Sequence, residues 1–344
     1  MNKKTGLTLG KFAPFHKGHE LVIKTALKEV DELYIILYTS DLTTTPLQVR
    51  ARWIKTLYPS VNIIMGFNAP QDEGNSKEVK KIQENYVLEQ LENIKISHFY
   101  SSEFYGEHVS KALNAVDRRV DEARKMVPIS GTAIRANSFA NRQYLSDIVY
   151  KDLITKICFM GAPSTGKSTL TKVLADKYNT QFMPEYGAEY WLNHNENRRL
   201  NINQFENIPI EHNKREDILV QKANKYLFCD TCPITTYVFA IDYTGKAGQV
   251  LTKLADNSYK RYDLFFLCDT DIPYADTWDR SGFKKSLSMQ DQIIDDLNER
   301  KLPYIQVSGT IEERVKKVES ILNRYVKYSN LFELAFFDGK QVQI

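Results

Sequence analysis

The segment "GAPSTGKST" at residues 161–169 constrains the fold more than any other part of the chain. Gly161, Gly166, Lys167 and Ser168 satisfy the pattern G-x-x-x-x-G-K-[ST], whose glycines let backbone N–H groups point at phosphate oxygens. A strand-like run, "ITKICFM", leads into the segment, and "STLTKVLADKYN" continues it as an amphipathic helix with a positive N-terminus. The sequence therefore predicts a phosphate-binding loop in which Lys167 reaches the β- and γ-phosphates and Ser168 ligates Mg²⁺.

Three carboxylates further along the chain are candidates for the same site. Asp230 ends the strand-like run "YLFCDT", where it could hold Mg²⁺ through water or accept the proton of an attacking hydroxyl. Glu185 and Glu189 in "MPEYGAEYW" lie four residues apart and are expected on one helical face. That face either points to an acceptor or metal, or is an ordinary solvated surface.

The stretch "DTWDRSGF" predicts a charged loop after a strand, with Asp276, Asp279 and Arg280. An arginine on a mobile lid can close over a transferring phosphoryl group and screen its charge. Charged residues of an ordinary surface loop are the alternative interpretation.

The stretch "KFAPFHKGHE" at residues 11–20 carries two histidines, His16 and His19, directly after a predicted strand. The next helix is expected to begin near Gly18, so both imidazoles lie at the carboxyl end of a strand, where parallel sheets bind ligands. Together with Lys11 they can donate to phosphate oxygens and stabilise charge at an α-phosphorus. Gly18 lets the backbone approach a nucleotide closely.

A second phosphate-binding segment is predicted in "ISGTAIR", residues 129–135. Ser130 and Thr132 precede a helical stretch and can cap it, which leaves N–H groups for an anion. Arg135 follows one turn later and can pair with a phosphate through two hydrogen bonds.

Strand and helix signals alternate on both sides of residue 150, which predicts two α/β domains with parallel sheets. Helices are expected at residues 18–28, 47–58 and 78–91. The predicted strands are "TGLTLG", "ELYIILYTS", "VNIIMGF" and "ISHFYSS" in the first series, and "TKICFM", "YLFCDT", "DLFFLCDT" and "PYIQVSG" in the second.

Composition excludes several classes of protein. A net charge of +3 over 344 residues does not suggest a nucleic-acid binder. No apolar run approaches the length of a membrane helix, and no signal peptide is recognisable, so a cytoplasmic protein is expected. The four cysteines lie in or beside strand-like runs and are expected to be reduced and buried.

"GKFAPFHKGH" together with "ISGTAIR" resembles the H-x-G-H nucleotidylyltransferase superfamily, in its adenylyltransferase branch. With a P-loop kinase domain after it, the chain resembles the bifunctional nicotinamide-nucleotide adenylyltransferase/ribosylnicotinamide kinase (NadR-type) family. Further matches are "VDELYIILYTSD", "RARW", "SSEFYGE", "PEYGAEYW" and "FCDTCPITTYVFAIDYTGKA". The resemblance implies a Rossmann-like nucleotidylyltransferase fold over residues 1–148 and a P-loop kinase fold over residues 149–344.

The family implies two reactions, both of which use ATP and Mg²⁺. Nicotinamide riboside is phosphorylated to the mononucleotide, which is then adenylylated to NAD with release of pyrophosphate. The resemblance implies a catalytic set made of His16, His19, Lys167, Asp230 and Arg280. It places ATP in the first domain at Gly10, Lys11, Phe12, His16, Gly18, His19, Ser130, Thr132 and Arg135.

The remaining ligand assignments follow from the same resemblance. Nicotinamide mononucleotide is expected at Phe12, Arg52 and Trp53, although Trp53 also suits the core face of an amphipathic helix. The second ATP is expected at Gly161, Ala162, Pro163, Ser164, Thr165, Gly166, Lys167, Ser168, Thr169 and Arg280. The riboside is expected at Glu185, Tyr186, Glu189 and Asp230, and Mg²⁺ at Ser168 and Asp230.

The sequence departs from the family pattern in two places. Some members carry an N-terminal helix-turn-helix, but here the first strand begins within ten residues, so a repressor role is not expected. The lid reads "DTWDRSG" instead of adjacent aspartates before a glycine, which leaves the partners of Arg280 undefined.

Two other functions stay open from the sequence. One is a different coupled enzyme, acting on a flavin or a coenzyme A precursor. The other is a regulatory protein whose phosphate loop senses a nucleotide. A homo-oligomer is compatible with each of these readings.

Overall fold

The computed structural model describes residues 3–70, 74, 76–102, 106–197, 199–274 and 282–329. The chain divides into two compact units, Met1–Tyr150 and Lys151–Ile344, and the division lies inside helix α6 (Asp147–Leu153). Each unit contains one five-stranded sheet in which the paired strands run parallel. The prediction of two parallel α/β domains is therefore confirmed.

The sheet of the first unit has the strand order β3-β2-β1-β4-β5. Because the chain continues from β1 to one side and later returns to the other, the order reverses between β1 and β4, and such reversals create ligand crevices. The strands are β1 (Thr5–Gly10), β2 (Glu32–Tyr38), β3 (Asn62–Gly66), β4 (His98–Ser101) and β5 (Val116–Arg119).

Helices connect these strands and bury one face each against the sheet. They are α1 (Lys17–Glu29), α2 (Leu47–Leu57), α3 (Lys77–Leu91), α4 (Gly106–Ala112) and α5 (Gly131–Ala136), followed by α6. The core between α3, α4 and the sheet is built from Leu7, Ile36, Val87, Leu91, Ile96, Phe99 and Val109. These residues hold the carboxyl ends of β1 and β4 in fixed register, which positions the first candidate site.

The sheet of the second unit has the strand order β10-β9-β6-β8-β7. The central strand β6 (Thr155–Met160) is buried along its whole length, as its apolar run predicts. The other strands are β7 (Gln181–Met183), β8 (Tyr226–Asp230), β9 (Leu264–Cys268) and β10 (Ile305–Val307). This order also reverses beside β6, between β6 and β8.

Eight helices complete the described part of the second unit. They are α7 (Lys167–Lys177), α8 (Tyr186–His194), α9 (Ile202–Val220), α10 (Pro233–Thr244), α11 (Gln249–Asp256), α12 (Ser258–Arg261), α13 (Phe283–Glu299) and α14 (Ile311–Leu322). Within the described residues no helix is both long and apolar enough to span a bilayer. All four cysteines are free and buried, as expected.

A buried ionic cluster connects strand β6 of the second sheet to helices α9 and α12. The carboxylate of Glu216, which is fully buried, contacts Lys156 Nζ at 2.8 Å and Arg261 Nε at 3.0 Å and accepts a hydrogen bond from the Tyr262 hydroxyl. Burial opposes ionisation of Glu216, but the charges of Lys156 and Arg261 outweigh it and lower its pKa to about 2. Next to this cluster, burial lowers the pKa of His212 to about 4.

Candidate nucleotide-binding sites

His16 and His19 form the first turn of α1 and fix each other's orientation. His16 is the N-cap residue, and its Nδ1 accepts a hydrogen bond from the Gly18 N–H at 3.1 Å. The Nδ1 of His19 accepts from the His16 N–H at 3.3 Å, which completes a capping box. Since both Nδ1 atoms accept, the neutral rings carry their protons on Nε2, so each ring keeps one N–H donor for a ligand.

The two imidazoles are stacked and stay neutral. Their ring centroids are 3.7 Å apart, and Phe12 packs edge-on against His19 at 4.7 Å. Burial lowers the pKa of His16 to about 4, and burial together with His16 lowers that of His19 well below its usual value. At neutral pH the pair therefore offers neutral hydrogen-bond donors, not charges.

A cavity of about 440 Å³ lies at the carboxyl ends of β1 and β4, where the strand order of the first sheet reverses. Of the residues predicted to bind ATP, five line this cavity: Gly10, Lys11, Phe12, His19 and Arg135. His16 does not line the cavity itself but stacks on His19, which does.

The segment around α5 closes the cavity beside the histidines. Arg135 Nη1 donates to the Ala13 carbonyl at 2.6 Å, and its Nη2 donates to the Thr132 hydroxyl at 3.1 Å. The Ser130 hydroxyl accepts from the Ala133 N–H and caps the helix. The structure thus brings "KFAPFHKGHE" and "ISGTAIR" together although more than 100 residues separate them.

The structure does not bring Arg52 and Trp53 to this cavity. The Trp53 side chain is fully buried in the core, and Arg52 is exposed. The reason is the helical period, because α2 turns Arg50, Trp53 and Ile54 inward together. The core interpretation of Trp53 therefore describes the observed position.

Arg50 is the arginine of α2 that supports the site, although sequence reasoning singled out Arg52 instead. Its guanidinium, only 2% exposed, donates to the carbonyls of Lys11, Tyr38 and Thr45, the last two at 3.0 Å. Its hydrogen bonds therefore connect the carboxyl ends of β1 and β2 next to the cavity.

The second site is the loop after β6. Gly161 and Gly166 have φ values of +138° and +79°, which favour glycine, and a Cβ on Gly161 would lie 2.7 Å from the Cys268 carbonyl oxygen. Lys167 Nζ donates to the Ala162 carbonyl at 2.8 Å, within its own loop. A bound phosphate can replace that carbonyl as the partner of the lysine.

A cavity of about 530 Å³ adjoins this loop. Its polar lining is formed by the loop from Pro163 to Thr169 and by Thr231 and Thr235. Its apolar lining, most of which packs together in one cluster, consists of Trp191, Leu192, Leu200, Phe205, Ile208, Phe239 and Tyr243. A ligand with a phosphate end and a flat apolar end fits this polarity.

Comparison with known proteins supplies the family. A family model described as cytidylyltransferase-like matches residues 7–137, and one described as an AAA domain matches residues 156–314. The "Trifunctional NAD biosynthesis/regulator protein NadR" of Salmonella typhimurium strain LT2 is 30% identical over 336 residues, covering 89% of this chain and 79% of the relative. The chain belongs to the NadR family.

Solved structures of NadR share the fold. A NadR protein in complex with NAD and AMP-PNP matches with a TM-score of 0.56 at 22% identity, over 96% of this chain and 98% of that one. A NadR protein in complex with NR matches with a TM-score of 0.55 at 21% identity, over 96% and 99%. The family arrangement of a nucleotidyltransferase-like unit followed by a P-loop unit thus extends over the length of the chain.

Asp230 makes the second site suited to a divalent cation. It ends β8, is 2% exposed, and its Oδ1 has no hydrogen-bond partner among the described residues. Burial raises its pKa, although Lys167 and a hydrogen bond from Ser168 act in the opposite direction. A buried carboxylate with a free oxygen beside a serine hydroxyl is the donor set that Mg²⁺ takes in phosphate-binding loops.

Of the residues predicted to bind a riboside, the structure brings Glu185 and Asp230 toward the second site and leaves Glu189 outside. Glu185 lines the cavity, whereas Glu189 pairs with Arg215 on the surface at 2.8 and 3.0 Å. The expectation of a shared helical face fails because Glu185 is the N-cap residue of α8 and has extended backbone geometry. Tyr186 stacks under Arg215, with 4.1 Å between guanidinium and ring.

The predicted lid residues Asp276, Asp279 and Arg280 lie outside the described residues. Their role remains the sequence-based expectation. The described residues on either side of this segment, Pro273 and Ser286, both reach the second site: Pro273 lines the cavity, and the Ser286 hydroxyl donates to the Pro163 carbonyl at 2.8 Å.

Two distant side chains hold the phosphate loop in shape, and sequence reasoning missed both. Gln290 accepts from the Ala162 N–H at 2.8 Å and donates to the Cys268 carbonyl at 3.0 Å. Arg314, 2% exposed, donates to the Thr165 carbonyl at 2.6 Å and pairs with Asp271. In the sequence both lie in polar helical stretches that are typical of solvated surfaces.

We expect the stability of the protein to fall as the pH drops below 6.5. His16 and His212 have folded-state pKa values of about 4 against 6.5 when unfolded, so the unfolded chain takes up protons first. Each lowers the free energy of unfolding by up to about 3 kcal/mol at pH 4. Glu216, with its pKa lowered to about 2, keeps its stabilising charge until the pH is below 4.5.

Urea unfolding of wild type and His212→Gln at pH 7, 5.5 and 4.5 measures this effect. The variant should lose less stability than the wild type between pH 7 and 4.5. Parallel losses in the two proteins would show that His212 does not titrate as inferred.

Proposed function

We propose that this chain is a bifunctional enzyme of NAD biosynthesis. It phosphorylates nicotinamide riboside with ATP and adenylylates the resulting mononucleotide with a second ATP, giving NAD and pyrophosphate. The observation that supports the proposal is that one chain carries two different arrangements suited to phosphate: the histidine pair at the end of β1, and the loop with Lys167 beside Asp230. The names and ligands of the NadR relatives support this choice of substrates.

Adenylyl transfer needs charge stabilisation at the α-phosphorus more than it needs a base. The attacking group is a phosphate oxygen of the mononucleotide, which is already anionic at neutral pH. The Nε2–H groups of His16 and His19 would donate to the oxygens of the α-phosphate as charge builds up there. Lys11 and Arg135, which line the same cavity, would balance the charge of the departing pyrophosphate.

Phosphorylation of the riboside uses the second site. The 5′-hydroxyl of the riboside attacks the γ-phosphorus, and the bond to the bridging oxygen of ADP breaks. Lys167 would leave the Ala162 carbonyl to bind the β- and γ-phosphates, and Ser168 and Asp230 would hold Mg²⁺, which neutralises phosphate charge. Where Asp230 holds Mg²⁺ through a water molecule, its unpartnered Oδ1 can take the hydroxyl proton.

A product assay run separately with each substrate tests the proposal. With ATP and Mg²⁺, nicotinamide riboside should give mononucleotide and then NAD, and the mononucleotide alone should give NAD and pyrophosphate. Riboflavin and pantetheine phosphate, assayed in parallel, should not react. Absence of both the mononucleotide and NAD would overturn the proposal. Turnover of riboflavin or pantetheine phosphate instead would identify a different substrate.

A further inference from the structure

One face of α10 forms a wall of the second cavity. Thr235, Phe239 and Tyr243 follow each other at intervals of four residues and all line it, as does Thr231 just before the helix. Because Asp230 directly precedes this segment, Thr235 lies at the polar end of the wall and the two aromatic rings continue it toward the apolar lining.

The hydroxyl of Thr235 differs from those of Thr165, Thr171 and Thr244 in the same unit. Thr235 is 2% exposed, and among the residues that the structure describes its Oγ1 has no hydrogen-bond partner. The hydroxyls of Thr165, Thr171 and Thr244 donate to carbonyls at 2.8 to 2.9 Å. A buried hydroxyl without a partner destabilises the fold, and a valine would fill the same space without that cost.

The start of α10 adds further donors at the same place. The N-cap residue, Cys232, makes no side-chain capping bond, and Pro233 at the first helical position has no N–H, so the donors here are the N–H groups of Ile234 and Thr235. The first N–H groups of a helix have no partner within it and carry partial positive charge, so they attract anions. Thr231, with a φ of +69°, takes the left-handed conformation that turns the chain from β8 into this helix.

We propose that the Thr235 hydroxyl and the first N–H groups of α10 bind the phosphoryl group after its transfer to the riboside. In that state it is the 5′-phosphate of the product mononucleotide. This inference rests on the proposed kinase reaction and adds an anion site on the acceptor side. The donors on the ATP side, Lys167 and the loop, hold the group before transfer. In the transfer, the bond from the 5′-oxygen to phosphorus forms, ADP leaves with the electron pair of the broken bond, and Asp230 takes the hydroxyl proton.

The phosphate interpretation follows from the kind of groups that meet here. A hydroxyl, helix N–H groups and the Lys167 ammonium all donate, and the carboxylate beside them, Asp230, is the residue suited to Mg²⁺. Such a set matches a phosphate with its metal ion. Because the new donors contact the group after it has moved, they act on the transition state and product more than on the bound riboside.

Thr235→Val, Thr235→Ser and Thr244→Val test this inference in the full-length protein. Thr235→Val should lower kcat for riboside phosphorylation by about 10²-fold, the loss typical of one oxyanion donor, and change the KM for riboside by less than about 3-fold. The inhibition constant of added mononucleotide in the kinase reaction should rise about 10-fold or more in Thr235→Val. Thr235→Ser should restore most of kcat.

Thermal unfolding separates this role from a structural one. Thr235→Val should unfold at the wild-type temperature or above it, because it removes a buried group without a partner. Thr244→Val, in the same helix, removes a hydroxyl that is within hydrogen-bond distance of the Ala240 and Lys246 carbonyls, so it should unfold at a lower temperature with normal kcat. Adenylyl transfer should be unchanged in all three variants.

Three outcomes would contradict the proposed role of the Thr235 hydroxyl. If the wild type phosphorylates the riboside and Thr235→Val keeps the wild-type kcat, the anion site is wrong and the proposed function stands. If Thr235→Val unfolds at a lower temperature and serine does not restore kcat, the hydroxyl is structural and the inference is overturned. If the wild type phosphorylates no nucleoside, the inference falls together with the kinase proposal.

Discussion

Replacing Lys167 with methionine is expected to lower the rate of riboside phosphorylation by on the order of 10²–10³-fold, while adenylyl transfer by the same molecules continues at the wild-type rate. Methionine fills nearly the same space in this buried position but carries no charge and no donor. The β- and γ-phosphates would then lose the cation that balances their charge in the transition state. Measuring mononucleotide formed from riboside, and NAD formed from mononucleotide, gives both rates.

The matched control is Lys172→Met. Lys172 is exposed on the same helix, α7, and should tolerate the change with both activities intact. Loss of both activities in a folded Lys167→Met protein would contradict the model of two independent sites. Wild-type kinase activity in that variant would remove the phosphate loop from the reaction.

The parts of the fold that were predicted correctly depend on residues that lie close together in the sequence. The buried run of β6 and the glycines at 161 and 166 lie next to each other in the chain, so spacing alone describes the loop. The short strands β5 and β7 were missed. They have four and three residues, too few to show a pattern, and neighbouring strands of the sheet define them.

The side chains that were missed act over long distances in sequence. Arg314 reaches the Thr165 carbonyl across 149 positions, and Gln290 reaches Ala162 across 128. Nothing near either residue distinguishes it from a solvated helix position. Arg50 is similar, since only the packing of α2 shows that this residue, and not Arg52, turns inward.

The site expectations that did not match the observed positions failed for different reasons. Glu185 and Glu189 share a spacing of four, but the helix begins between them, so the spacing describes no common face. Trp53 fits both a core stripe and a ligand contact in sequence, and burial separates the two. Periodicity shows that one face is apolar, but it does not show which apolar residue a ligand can reach.

Substitution of His19 is expected to have the other large effect, a loss of adenylyl transfer on the order of 10²–10³-fold with riboside phosphorylation unchanged. The two nitrogens of His19 have separate roles. Nδ1 accepts a hydrogen bond from the His16 N–H, and Nε2 carries the proton that can be donated to phosphate. Asparagine can imitate the first nitrogen only, whereas glutamine can imitate both, because its oxygen can make the capping bond, as Gln204 does in α9, while its amide N–H groups donate. The two variants therefore separate the structural role from the chemical one.

His19→Asn should fold like the wild type and lose adenylyl transfer, because its amide oxygen can keep the capping bond while no donor reaches the cavity. His19→Gln should also fold like the wild type, because a glutamine at the same helical position makes this capping bond in α9, and it should keep more activity than asparagine does, because its amide N–H groups still reach the cavity. The measurements are NAD formed from mononucleotide and ATP, and thermal unfolding of each protein. If asparagine were as active as glutamine or more active, the imidazole would serve the helix cap and not the phosphate, because the donor that only glutamine keeps would not be required for catalysis.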